Sequence, residues 1–155
     1  MYVRLRAAEV ARKVGFSEDF ISAVIFSADC WNECIRTAWK RDPEKTKKGL
    51  AILADDEAID VRCAISRSKY APAEVLEKLA NDPDGLVRSS VAHNSSTPSH
   101  ILTQLAKDNY YATHVALVHN PNTPLAVLTE LQNNPDPYIS NRAKTLNKFL
   151  HASIY

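Results

Sequence analysis

Five histidines, three cysteines and a spaced series of arginines and lysines are the side chains of this 155-residue chain with chemistry to offer. Cys30 and Cys34 stand four apart, so a helix would carry both thiols on one face. With Cys63 and one histidine they could fill the four-ligand shell of a structural zinc ion. An odd cysteine count without a ligand motif favours the plainer reading, three small buried or half-buried residues. No metal or other cofactor is expected. The five histidines meet no nucleophile elbow of the G-x-S-x-G kind. Gly15, Gly49 and Gly85, the only glycines, cannot form G-x-G-x-x-G or a Walker A loop. The expectation is a protein without catalytic activity.

The cations are better organised. Nineteen Lys+Arg oppose eighteen Asp+Glu, so bulk charge names no partner. Their positions recur: Arg36, Lys40 and Arg41; Arg62 and Arg67; Arg88 and His93; His114 and His119. The interval is 26 residues, and the residues around them repeat with it. Val61-Arg62-Cys63-Ala64-Ile65 returns as Val87-Arg88-Ser89-Ser90-Val91 and as Thr113-His114-Val115-Ala116-Leu117, with Ile35-Arg36-Thr37-Ala38-Trp39 before them. Pro72, Pro98 and Pro124 each begin a second segment, which continues as Val75-Leu76, Ile101-Leu102 and Val127-Leu128. Pro83 and Pro135 close it; Pro43 and Pro121 mark the turn between segments. Such a period signals stacked supersecondary units.

Each unit reads as two short helices. In residues 87–112, Val87, Ser90, Val91 and Asn94 share one face, and Ile101, Leu102 and Leu105 another. Asn94 suits a left-handed helix end, and Thr97 suits a cap before Pro98. Positions 88, 89, 92 and 93 are then expected outside, and Trp39 in the core. Residues 3–14 predict an amphipathic cap helix through Val3, Ala7, Val10, Ala11 and Val14, ended by Gly15. Ser17 could start another, with Phe20, Ile21, Val24 and Ile25. Ile139, Ala143, Leu146, Phe149 and Leu150 predict a last one. The organisation expected is one repeat domain over 1–155: a cap and degenerate repeat to residue 34, repeats 35–60, 61–86, 87–112 and 113–138, and a capping helix from 139.

These units resemble the leucine-rich repeat variant family of bacterial proteins. Val87-Arg88-Ser89-Ser90-Val91-Ala92-His93-Asn94, Thr97-Pro98 and Leu102 with Leu105-Ala106 carry the resemblance. So do His119-Asn120-Pro121-Asn122-Thr123-Pro124 and Leu79-Ala80-Asn81-Asp82-Pro83-Asp84. It covers about residues 35–138 and implies an all-α, right-handed α-solenoid of about five repeats, alternating α and short α or 3₁₀ helices, HEAT-like in layout. It implies no reaction. The family's founding type has a cysteine-rich iron–sulfur segment, but Cys30 and Cys34 alone fall short of a four-cysteine cluster site.

Two roles compete for the first-helix cations. Asp55, Asp56 and Asp60 precede Arg62, and Asp82 and Asp84 precede Arg88, a spacing suited to an Asp–Arg ladder that orients the stack. Arg41, Arg67, His93 and His119 fall near helix ends, where cations favour the dipole. As a binding surface, Arg36, Lys40, Arg41, Arg62, Arg67, Arg88, His93, His114 and His119 would suit a protein partner with an acidic face. A nucleic-acid backbone is the alternative. Tyr110 and Tyr111 are candidate exposed anchors for a partner. No apolar run approaches the roughly 18 residues that cross a bilayer, and the charged N-terminus does not suit a signal peptide. A cytoplasmic protein, monomeric or weakly dimeric, is expected.

Overall fold

A computed structural model describes residues 2–17, 21 and 31–152. Every regular element among them is helical. The chain divides into two compact units, Met1–Leu79 and Ala80–Tyr155. The first contains α1 (Tyr2–Lys13), α2 (Trp31–Arg41), α3 (Pro43–Leu53), α4 (Ile59–Ser66) and α5 (Ala73–Leu79). The second contains α6 (Gly85–His93), α7 (Ser99–Leu105), α8 (Tyr111–Leu117), α9 (Leu125–Leu131) and α10 (Pro137–Ala152). Among the described residues no helix is long and apolar enough to cross a membrane.

In the first unit, α1 ends where Gly15 takes φ +86, a conformation open to glycine at little cost. The Phe16 N–H then reaches back to the Ala11 carbonyl and that of Gly15 to Arg12, closing the helix end. Ala8 and Val10 are its buried residues; Val3, Ala7, Ala11 and Val14 are half-buried. Asp42 starts α3 by accepting the Lys45 N–H at 3.0 Å, and Pro43 fills the first position, where no N–H is needed. Helix α3 packs on α1, α2 and α4, burying Leu50 and Leu53, while α4 buries Val61 and Ile65. Ile21 is buried, and most of the second helix expected after Ser17 lies outside the described residues.

In the second unit, α6 packs on α7 and α8, and α9 packs on α10. Val87, Val91, Ile101, Leu102, Leu117, Val118 and Ile139 are fully enclosed. Each such side chain contributes about 1.5–3 kcal/mol relative to exposure. Helices of seven to nine residues depend on that packing, because helices this short are marginal alone.

Several expectations need correction. Asn94 is extended (φ −72, ψ 117), not left-handed; its side chain instead forms a turn by accepting the Ser96 N–H. Thr97 does not cap α7: its hydroxyl donates to the Val91 carbonyl, and Thr123 repeats this to Leu117, both at 2.7 Å. Pro98 and Pro124 occupy the capping positions themselves, extended, without a side-chain bond. Trp39 is half-buried rather than core. On α10, Ile139 and Ala143 are buried, but Phe149 and Leu150 are exposed.

Candidate functional site

The first helices are positioned by turns built on one side chain each. Asp56, Asp82, Asp108 and Asn134, spaced by 26, accept through Oδ1 the N–H two residues on, at 2.9–3.0 Å. A short side chain that bonds its own backbone in this way holds the chain in a turn. At the other junction Ser68, Asn94 and Asn120 do the same toward Tyr70, Ser96 and Asn122. Asn120 also donates to the carbonyls of Ala92 and Asn94, at 2.7 and 3.0 Å.

Arg62 and Arg88 grip these turns. Nη1 of Arg62 donates to the carbonyls of Asp56 and Glu57; Nη1 of Arg88 donates to those of Asp82 and Pro83. Arg88 then places Nε and Nη2 on the two carboxylate oxygens of Asp108, at 2.8 and 2.9 Å. Such a planar fork fits a carboxylate bidentately. Both side chains are largely enclosed, 19% and 6% exposed. Burial pushes the Asp108 carboxyl up, but Arg88, the Tyr110 N–H and the Thr113 hydroxyl together hold it below the usual carboxylate range. The Arg88 guanidinium is raised in turn, chiefly by its bond to Asp108.

An Asp–Arg contact therefore exists, but not with the expected partner. Asp82 and Asp84 give Arg88 longer-range attraction, and Asp82 a backbone oxygen; the carboxylate it clamps lies 20 residues downstream. In the first unit, the Asp56 side chain is bonded by Arg6 at 2.7 Å. Burial raises the Asp56 carboxyl, and the Ala58 N–H and Arg6 bring it below its ordinary range.

One period beyond Arg88 stands His114. Asn134 uses Oδ1 on the Asp136 N–H, so its amide Nδ2 faces the ring and donates to Nδ1 at 3.0 Å. Nδ1 is then the acceptor, and the ring hydrogen sits on Nε2, which is buried and has no hydrogen-bond partner among the described residues.

The helix-end series is arranged differently. Arg41 ends α2, Arg67 follows α4, His93 ends α6, and His119 lies two residues past α8; all four are exposed. His119 meets Tyr138 through Nε2 and Oη at 2.7 Å. Arg36 and Lys40 are exposed on α2. Elsewhere Lys40's register position is enclosed: Ser66, Ala92 and Val118 are each 0% exposed, against the expectation that position 92 faces outward. The packed stripe of these short helices is wider than a two-position seam, and Ser66 satisfies its hydroxyl on the Arg62 carbonyl. Arg62, Arg88 and His114 are half-buried, so the nine candidates split into a structural and a surface set.

Tyr110 is not an exposed anchor. Its ring lies against Gly85, where an added Cβ would come within 2.5 Å of Cγ. Tyr111, beside it, is exposed. Cys63 is buried. Cys30 and the side chain of Cys34 lie outside the described residues, among which no group of three His, Cys, Asp or Glu could hold a metal ion. An open depression of about 270 Å³ adjoins Arg88, Gln104, Lys107 and Asp108. Its fork is occupied by Asp108, and the Gln104 amide donates to Asn81 at 2.8 Å. The recurring turn residues could have been read from Asp56, Asp82, Asp108 and Asn134 at one interval. Comparison with known protein families, with curated proteins and with solved structures finds no match.

Proposed function

We propose that this chain is a non-enzymatic interaction module, a right-handed α-solenoid of 26-residue repeats similar to the leucine-rich repeat variant family, which binds a protein partner with an acidic surface. The observation that carries the reading is the division of the repeated cations. Arg62 and Arg88 are half-buried and grip the turns of the fold; Arg41, Arg67, His93 and His119 recur at one register position and are exposed in every copy. A recurring exposed position along a repeat array is the arrangement by which solenoids present a binding surface. Basic side chains there steer and select an acidic partner. The test is capture from native lysate by the tagged chain, compared with Arg67→Glu. The reading expects a partner held by the parent and released by the variant. Capture unchanged by Arg67→Glu overturns it.

A further inference from the structure

We infer that the outer face of α10 is a docking site for an acidic amphipathic helix of a partner protein, which rests on the interaction reading above and gives it a second surface. Helix α10 has 16 residues. Its counterpart α6, two periods earlier, ends at His93, the register position of Thr145, so α10 runs on for about two further turns. Ile139, Ala143 and Asn147 are buried on the side packed against α9, where the Asn147 amide donates to the Thr129 hydroxyl at 3.1 Å. The other side exposes Tyr138, Arg142, Lys144, Thr145, Lys148 and Phe149.

This helix contains no acidic residue. Among the described residues Arg142, Lys144 and Lys148 pair with no carboxylate. Asp136, just ahead of the helix, turns Oδ1 to the N–H groups of Tyr138 and Ile139, and Glu130 on α9 forms no ion pair with them. Elsewhere cations do find partners: Lys47 with Glu44, Lys78 with Asp55, Arg88 with Asp108. The helix dipole favours cations only near the last turn, and Arg142 and Lys144 stand roughly two turns or more before Ala152. Like charges held together repel, and an arriving anionic group relieves the repulsion.

The spacing names the anion. Tyr138, Thr145 and Phe149, at i, i+7 and i+11, fall on one line of the helix. Arg142 flanks that line on one side, and Lys144 and Lys148 on the other. Tyr138 and Phe149 are 52% and 68% exposed. A seam of uncharged side chains between charged flanks is the plan by which helices pair in coiled coils. Its complement is a helix with an apolar seam flanked by glutamates or aspartates. A nucleic-acid strand fits less well. Arg142 to Lys148 covers about 9 Å of helix, whereas single-strand binders track about four nucleotides or more. The Tyr138 ring, a stacking candidate, already lies against His119, with ring centres 6.1 Å apart and its hydroxyl on Nε2.

The probe is a fluorescein-labelled peptide of about fourteen residues, with leucines on one helical face and glutamates beside them, followed by anisotropy on the full chain. Saturable binding is expected, weakened about tenfold or more by Arg142→Glu with Lys144→Glu. The charge-matched control Lys13→Glu with Lys107→Glu, at exposed lysines off this helix, is expected to keep it within about twofold. Circular dichroism confirms that both variants retain the parent helix content. Absence of saturable binding, equal loss in the control, or equal binding of a peptide with the same composition in scrambled order overturns the site. So does tighter binding of a single-stranded DNA of about twenty nucleotides, which moves the assignment to nucleic acid. The captured partner separates the two claims. If Arg67→Glu releases it and Arg142→Glu with Lys144→Glu does not, the interaction reading stands and this site falls; if neither does, both fall.

Discussion

Arg88 with Asp108, and His114 with Asn134, occupy the same pair of register positions one period apart. The first is a bidentate ion pair, the second a neutral hydrogen bond. What they share is the oxygen that forms the turn: Oδ1 of Asp108 accepts the Tyr110 N–H, and Oδ1 of Asn134 accepts the Asp136 N–H. The turn is therefore the constant and the charge is the variable. The second oxygen of Asp108 also takes the Thr113 hydroxyl, and the Asn134 amide has no such role. The ion pair should thus be the more consequential member to break, because a largely enclosed guanidinium would lose its counter-charge.

The largest effect is expected at Asp108. Asp108→Ala leaves Arg88 without its carboxylate and the α8 turn without its acceptor, and should cost about 3–5 kcal/mol in urea unfolding. Asp108→Asn should cost less, since the amide keeps the turn oxygen. The pH dependence follows from the lowered carboxyl. A carboxyl held below its unfolded value, about 3.9, contributes stability that is complete above that pH. The contribution is lost as pH falls through the folded value. Asp108→Asn should flatten this acid side of the stability profile; an unchanged profile would remove Asp108 from the account.

Gly85→Ala ranks next. The new methyl would meet the Tyr110 ring, a contact with no counterpart one period on, where Tyr111 and Asp136 stand at those positions. Overpacking of this kind costs about 1–3 kcal/mol, and a Tyr110→Ala background should remove most of it. A full penalty in that background would show that the ring is not the obstacle. Asn134→Ala is the mildest, about 1–2 kcal/mol for the turn acceptor and the His114 bond. A loss equal to that of Asp108→Ala would erase the difference between the two pairs.

The apolar phases were legible in the chain because burial repeats with helix geometry: Val61, Val87 and Thr113 are all enclosed, as are Leu76, Leu102 and Leu128. Prolines at 98 and 124 mark helix starts, as their missing N–H requires. The all-helical class followed from these. The polar skeleton was harder. Arg88's partner lies 20 residues away across α7, and nothing in local spacing favours it over the nearer Asp82 and Asp84. Thr97 and Asn94 carry side chains that suit a cap or a left-handed end, and bonds within the turn itself, to the Val91 carbonyl and from the Ser96 N–H, decide otherwise. Ala92 was misplaced because periodicity locates the centre of a buried stripe better than its edge. The candidate site was legible as a list of nine residues, and not as two sets, because the same residue type serves both.

That division is open to one direct measurement, the thermal unfolding midpoints of Arg88→Gln and His93→Gln taken side by side. The account predicts a clear fall for Arg88→Gln, whose fork is bonded to Asp108 and two carbonyls. It predicts a midpoint near that of the parent for His93→Gln, at an exposed helix end. Equal midpoints, or a larger fall for His93→Gln, would contradict it.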